Sequence, residues 1–267
     1  MKPTEQVERA LALSDAGWNN CQIARELEVN RRTVSDWVRG RSRLRRPSHT
    51  YVSQQARNRG TCPRCSNRAS ENGVTLGVAP YSYAYLLGLY LGDGTISTHP
   101  RGVHRLRIFL DRRYPVLIDE CVAAISLVMP TNKVGMRRHK EAHMNEIYSY
   151  SMHWPHLFPQ HGAGPKHKRQ IALEPWQQLI ADRYPGRLLR GLIHSDGCRA
   201  LNRIRHPKKT YVYPRYLFTN RSLDIQRVFC DGCDRLGIEW RQDGPWNVSV
   251  ARRESVAVLD RHVGPKR

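Results

Sequence analysis

The stretch Tyr85–Ser97, YLLGLYLGDGTIS, is an apolar run of helical character that stops at Asp93–Gly94. Gly88 and Gly92 stand four residues apart inside it, although a glycine in a helix costs about 1 kcal/mol relative to alanine. Downstream, RLRIFLD (Arg105–Asp111) alternates basic and apolar residues, the period of a half-buried strand. Val116–Met129 places Leu117, Cys121 and Ile125 on one side of a helix. KVGMRRHK and EIYSYSM then read as a hairpin, followed by a short helix near Trp154–Phe158. The order recurs further on. LNRIR and YVYPRYLFTN are strands joined by a turn at HPKKT, LDIQRVFCDGCDRLG is a helix, EWRQDGPWNVSVAR is a hairpin around Asp243–Gly244, and ESVAVLDRHV is a closing helix. Ahead of all this, residues 4–40 give three short amphipathic helices. The first carries Val7, Ala10, Leu11 and Leu13 and ends at Gly17. The second is capped by Asn20, with Ile23, Ala24 and Leu27 inward; after a tight turn at Val29–Asn30 the third buries Val34, Trp37 and Val38.

The opening stretch occurs twice. Leu188–Ala200 reads LLRGLIHSDGCRA, and at a constant offset of 103 it sets Gly191 against Gly88, Ser195 against Gly92, Asp196 against Asp93 and Gly197 against Gly94. Small residues at positions i and i+4 share one helix face, so two such helices can pack backbone to backbone. Their last turns then meet, and Asp93 and Asp196 lie side by side. Adjacent carboxylates repel unless a cation lies between them, and a hard divalent ion with oxygen ligands, Mg²⁺, is the natural one. The glycine after each aspartate can end the helix and turn the chain into a strand. The expected class is α+β: two related halves behind a small all-α domain.

Charge narrows the partner. Lys and Arg number 44 against 23 Asp and Glu, a formal net charge of +21, which suits a polyanion and above all nucleic acid. Seven cysteines, an odd number with two Cys-x-x-Cys pairs, fit a reducing compartment rather than a disulfide framework. No apolar run approaches the ~18 residues that span a bilayer. The expectation is a soluble cytoplasmic, nucleoid-associated protein, and a monomer, because the two halves share one chain.

LLGLYLGDG (Leu86–Gly94) and LRGLIHSDG (Leu189–Gly197) resemble the LAGLIDADG motif of homing endonucleases, over about Pro80 to Val263. The resemblance implies two pseudo-symmetric αββαββα halves and metal-dependent, site-specific hydrolysis of double-stranded DNA with Mg²⁺ or Mn²⁺. Asp93 and Asp196 match the motif's acidic position, which makes them the implied metal ligands and catalytic carboxylates. Such enzymes keep basic or polar groups near the metals. Arg252 or Arg253 stands at a suitable place in the second half, and His153 is the candidate in the first. There is no intein signature. The alternative is a regulator on the same scaffold that binds DNA without cutting it, for which the paired aspartates are superfluous.

Outward strand positions carry Arg105, Arg107, Arg137, Arg203, Arg205 and Arg215, with Lys208 and Lys209 at a loop; a basic twisted sheet can lie along a major groove and its phosphates. The N-terminal helices resemble a helix-turn-helix of the kind found in resolvases and many regulators. The resemblance implies that the third helix enters the major groove and presents Arg31, Arg32, Thr33, Ser35 and Asp36. The run RGRSRLRRP that follows, with Arg39, Arg41 and Arg43, can track phosphates or lie in a minor groove. Cys62 and Cys65 in TCPRC offer half of a tetrahedral Zn²⁺ site; Cys230 and Cys233 could supply the rest, but inside a helix they also suit simple burial. The expected organisation is a helix-turn-helix domain over 1–46, a basic linker with the cysteine knuckle over 47–80, and LAGLIDADG halves over 81–170 and 171–267.

Overall fold

The computed structural model describes residues 4–38, 80–130, 132–139, 142–207, 209–264 and 266. The chain forms two compact units, one within residues 1–51 and one within 52–267.

The first unit is α1 (Thr4–Asp15), α2 (Asn20–Glu26) and α3 (Arg31–Val38). Ala10, Ile23, Leu27, Val29, Val34 and Trp37 close a core of their own. The cap of α2 is Asn19, not Asn20. The Asn19 side chain accepts from the backbone N–H of Cys21 and of Gln22, each at 3.0 Å, while the Gln22 side chain accepts from the Asn19 N–H at 2.9 Å. Only Asn19 has a glutamine three residues on, so only there can the cap be reciprocal. Glu28, at φ +50°, makes the tight reversal into α3, whose start is held by the Asn30 side chain accepting from the Arg32 N–H at 2.8 Å.

The second unit begins with α4 (Pro80–Asp93), β1 (Gly94–Thr98), β2 (His104–Asp111), α5 (Pro115–Val128), β3 (Val134–Arg138), β4 (Met144–Ser151) and α6 (Trp154–Leu157). After α7 (Pro175–Arg183), the sequence of elements repeats as α8 (Pro185–Asp196), β5 (Gly197–His206), β6 (Lys209–Thr219), α9 (Leu223–Arg235), β7 (Arg241–Gln242), β8 (Asn247–Val250) and α10 (Arg253–His262). The sheets are antiparallel, in matching orders β1-β2-β4-β3 and β5-β6-β8-β7. This is the α+β architecture of two pseudo-symmetric αββαββα halves that the resemblance implied. β1 and β5 start at the glycine after each aspartate, as the motif led one to expect. α7 lies outside the sequence reading: it is an additional helix, opened by Pro175 and by a reciprocal cap between Glu174 and Gln177.

α4 and α8 form the centre. Every residue of α4 from Ser82 to Leu91 is buried, so this helix has no polar side. A Cβ on Gly88 would stand 2.5 Å from the Leu188 carbonyl oxygen and 2.7 Å from the Leu192 nitrogen, and one on Gly191 would strike α4 backbone. The glycines are therefore required by contact between two backbones. At Gly92 the obstruction is the Ser195 side chain rather than backbone. The other end of the pair is tied down by Glu120 of α5, which accepts from Arg187 at 2.8 Å and from Arg190 at 2.8–2.9 Å, both on α8.

Candidate functional site

α4 and α8 end on Asp93 and Asp196, and their crossing brings the two carboxylates within each other's field. Burial first, and then the charge of Asp196, pushes the Asp93 carboxyl up to about 6. Asp196 is raised as well, by burial, although the Asn220 amide opposes the shift by donating to its Oδ2 at 2.6 Å. Two ionised carboxylates here need a positive charge between them.

Two ammonium groups are already close. Lys166 Nζ donates to the carbonyl oxygens of Tyr90, Gly92 and Gly94 at 2.5, 3.1 and 2.6 Å. Lys266 Nζ donates to the carbonyl of Ser195 at 3.4 Å. Gly92 and Ser195 are the same position of the repeated motif, so the lysines are pseudo-symmetric mates. Burial draws Lys166 down to about 8 and lowers Lys266, while both aspartates oppose the shift. Neither lysine is evident from the helix motif. The signal that finds them is a second repeat: Gly164-Pro165-Lys166 recurs as Gly264-Pro265-Lys266, at an offset of 100. Gly164 (φ +76°) and Gly264 (φ +67°) share a left-handed conformation that suits glycine.

The cations expected at this site lie elsewhere. Arg252 caps α10 and pairs with Glu239, and Arg253 is the exposed first residue of that helix. His153 precedes α6 and lines a separate cleft with Met129, Asn132 and Tyr150. Among the described residues, the cations whose charge acts on the two carboxylates are Lys166 and Lys266.

The strand residues divide by face. On β2, Leu106, Ile108 and Leu110 are buried, which turns Arg105 and Arg107 outward beside Thr95 and Ser97 of β1, and Arg137 of β3 joins them. Arg105 is fixed there, 4.3 Å over the Tyr148 ring and paired with Glu146 at 2.6 Å, and its side chain is only 15% exposed. In the second half, Arg215 and Lys209 lie on the matching outer face, next to Tyr211 and Tyr213. Arg203 and Arg205 do not: they share the face of Gly197, Arg199 and Tyr216, which packs toward the core nearer the helices. LNRIR has no apolar alternation to orient it, so its facing is set by Tyr216 and Phe218 on the partner strand. In the first unit, Arg31 and Arg32 are exposed at the start of α3, while Thr33, Ser35 and Asp36 are half-buried.

Arg39, Arg41, Arg43, Lys208, Cys62 and Cys65 lie outside the described residues. Cys230 and Cys233 face the core from α9, and burial raises both thiols. Among the described residues, no group of three His, Cys, Asp or Glu gathers to bind a metal, and no helix is long and apolar enough to cross a membrane.

A family model described as a homeodomain-like domain matches residues 5–45. No curated protein matches the sequence. Several solved structures are similar. The homing endonuclease I-DmoI in complex with DNA and Mn is 11% identical, over 70% of this chain and 98% of that chain, with a TM-score of 0.45. The LAGLIDADG meganuclease I-AabMI bound to uncleaved DNA is 12% identical over 70% and 85% of the two chains, with a TM-score of 0.43. The homing endonuclease I-WcaI bound to its DNA recognition sequence is 12% identical over 71% and 83%, with a TM-score of 0.42.

Proposed function

We propose that this chain is a site-specific, double-strand DNA endonuclease of the LAGLIDADG type, dependent on Mg²⁺ or Mn²⁺, with a helix-turn-helix head as a second DNA reader. The observation that carries this reading is the convergence of Asp93 and Asp196 at the ends of two glycine-packed helices, each aspartate attended by the lysine of a repeated Gly-Pro-Lys. Two hard carboxylates fit a hard divalent cation, whose other positions fall to water, carbonyl oxygen or phosphate. The bound ion would polarise the phosphate and make the attacking water nucleophilic. Asp93 and Asp196 would hold it, each serving mainly one strand. Lys166 and Lys266 stabilise the charge that builds on the phosphate, the part first expected of Arg252, Arg253 and His153. Arg105, Arg107, Arg137, Arg215 and Lys209 contact the duplex from the outer faces of the two sheets.

Cleavage of a randomised duplex library in Mg²⁺ or Mn²⁺ tests the reading. It predicts both strands cut at one recovered sequence. Tight binding to one sequence with neither strand cut would leave the regulator in its place.

The carboxylate pair makes metal binding sensitive to pH. In the folded protein Asp93 keeps its proton up to about 6, above its ordinary value of 3.8. Its contribution to the stability of the metal-free fold is therefore present at low pH and lost as pH rises from about 4 to 6. A divalent ion, which needs the ionised pair, restores stability above that window. Mn²⁺ should raise Tm clearly at pH 7 and much less at pH 5. An equal shift at both pH values would contradict this.

The head should contribute phosphate contacts. Removing residues 1–46 is expected to weaken DNA binding and to flatten its dependence on salt, because fewer counterions are released. An unchanged affinity and slope would mean that α3 does not contact DNA.

A further inference from the structure

We propose that the protein grips the two central phosphates of its duplex unequally: a cationic cleft beside Asp196 holds one strand, and among the described residues the mirrored place beside Asp93 lacks the matching amide and arginine. The grip rests on the geometry and charges of the site and on the DNA binding proposed above; its consequence, that the two strands are cut in order, rests also on the nuclease reading.

The register of the strands makes the comparison residue by residue. Gly94 pairs with Ile108 in the first half and Gly197 pairs with Phe218 in the second. Two and three residues beyond those partners, Leu110 and Asp111 therefore stand where Asn220 and Arg221 stand in the second half.

Asn220 is locked. Its side-chain oxygen accepts from the Ser222 N–H at 2.8 Å, so the amide nitrogen must point the other way, where it donates to Asp196 Oδ2 at 2.6 Å. Leu110 has no donor to offer, and it is buried in the core. Among the described residues, no side chain donates to Asp93.

The charges differ in the same sense. A cleft of about 410 Å³ is lined by Asp196, Asn220, Arg221, Lys166 and Arg169. Three of these are cations, and Lys166 is fixed by its three carbonyls. At the mirrored place Asp111 replaces Arg221. It pairs with Arg113 at 2.6 Å, and its negative charge reaches Lys266, the first-half site's matching ammonium. A phosphate beside Asp196 meets convergent positive charge, which favours charge-assisted bonds. Among the described residues, a phosphate at the mirrored place meets Lys266 and an Asp111–Arg113 pair whose charges offset each other, in place of Arg221.

Ethylation interference on the recovered site, run without divalent metal, tests the grip directly. Ethylation removes a phosphate's charge. We expect one central phosphate whose ethylation weakens binding roughly tenfold, the size of a lost charged hydrogen bond, while its counterpart on the other strand matters less than twofold. Arg221→Ala should erase that difference. Asn220→Ser keeps an acceptor for the Ser222 N–H but falls short of Asp196. With metal present it should slow cutting of the gripped strand alone, with Tm unchanged. In the parent, nicks should accumulate first on that strand, and Asp111→Asn should narrow the gap. Equal interference at both phosphates would overturn the proposal even if both strands are cut. Unequal interference with neither strand cut would uphold the grip and overturn the nuclease reading instead.

Discussion

Asp93→Asn and Asp196→Asn are each expected to lower double-strand cleavage by roughly a thousandfold or more, with binding of the same DNA site retained. Asparagine keeps the size of the side chain and removes the charge that holds the ion. The two aspartates end different helices and belong to different halves, so each substitution should leave one strand better served than the other. Nicked product is the expected residue of activity, on opposite strands for the two variants. In the metal-free state both substitutions should raise Tm slightly, because they relieve the burial of charge, and then the repulsion, that push Asp93 up to about 6. Strand-resolved gels and a melting curve check both statements. Cleavage at the parent rate by either variant would remove these carboxylates from the mechanism.

Gly88→Leu and Gly191→Leu should be the most damaging substitutions to the fold, each costing about 3 kcal/mol or more through overpacking. For a unit of this size that is a fall in Tm of roughly 6–12 °C. The obstruction at both positions is backbone of the facing helix, which cannot rotate aside. Gly92→Ala should cost less because it adds only a methyl, although that methyl meets the Ser195 Cβ, which cannot rotate aside. The order of the effects is the informative part. A melting curve for Gly88→Leu like the parent's would mean that α4 and α8 do not meet through their glycines.

The centre of the fold was legible because one short motif occurs twice with its small residues in register. Gly88 and Gly191, and Asp93 and Asp196, could be paired from the chain alone, and the strands of the first half could be faced because Leu106, Ile108 and Leu110 alternate with arginines. Where that alternation fails, facing is a tertiary matter. Arg203 and Arg205 turn away from the outer face because Tyr216 and Phe218, on another strand, decide which side of β5 is inside. The cap of α2 depended on Gln22, which stands three residues after Asn19 and only two after Asn20. The lysines at the site were hidden for a different reason. They stand outside the helices they serve, on connections that return to α4 and α8 only in three dimensions, and the repeat that marks them is only three residues long. The exposed arginines first considered for that role, Arg252 and Arg253, stand at the start of α10, while the chain's return to the site comes after that helix, at Lys266.

The most direct measurement of the central claim is the anomalous scattering of Mn²⁺ in crystals of the protein with its recovered DNA site. The account predicts manganese held between Asp93 and Asp196, against the backbone phosphates, with Lys166 and Lys266 alongside. Bound DNA with manganese absent from the two carboxylates, under conditions in which both strands are cut, would contradict it.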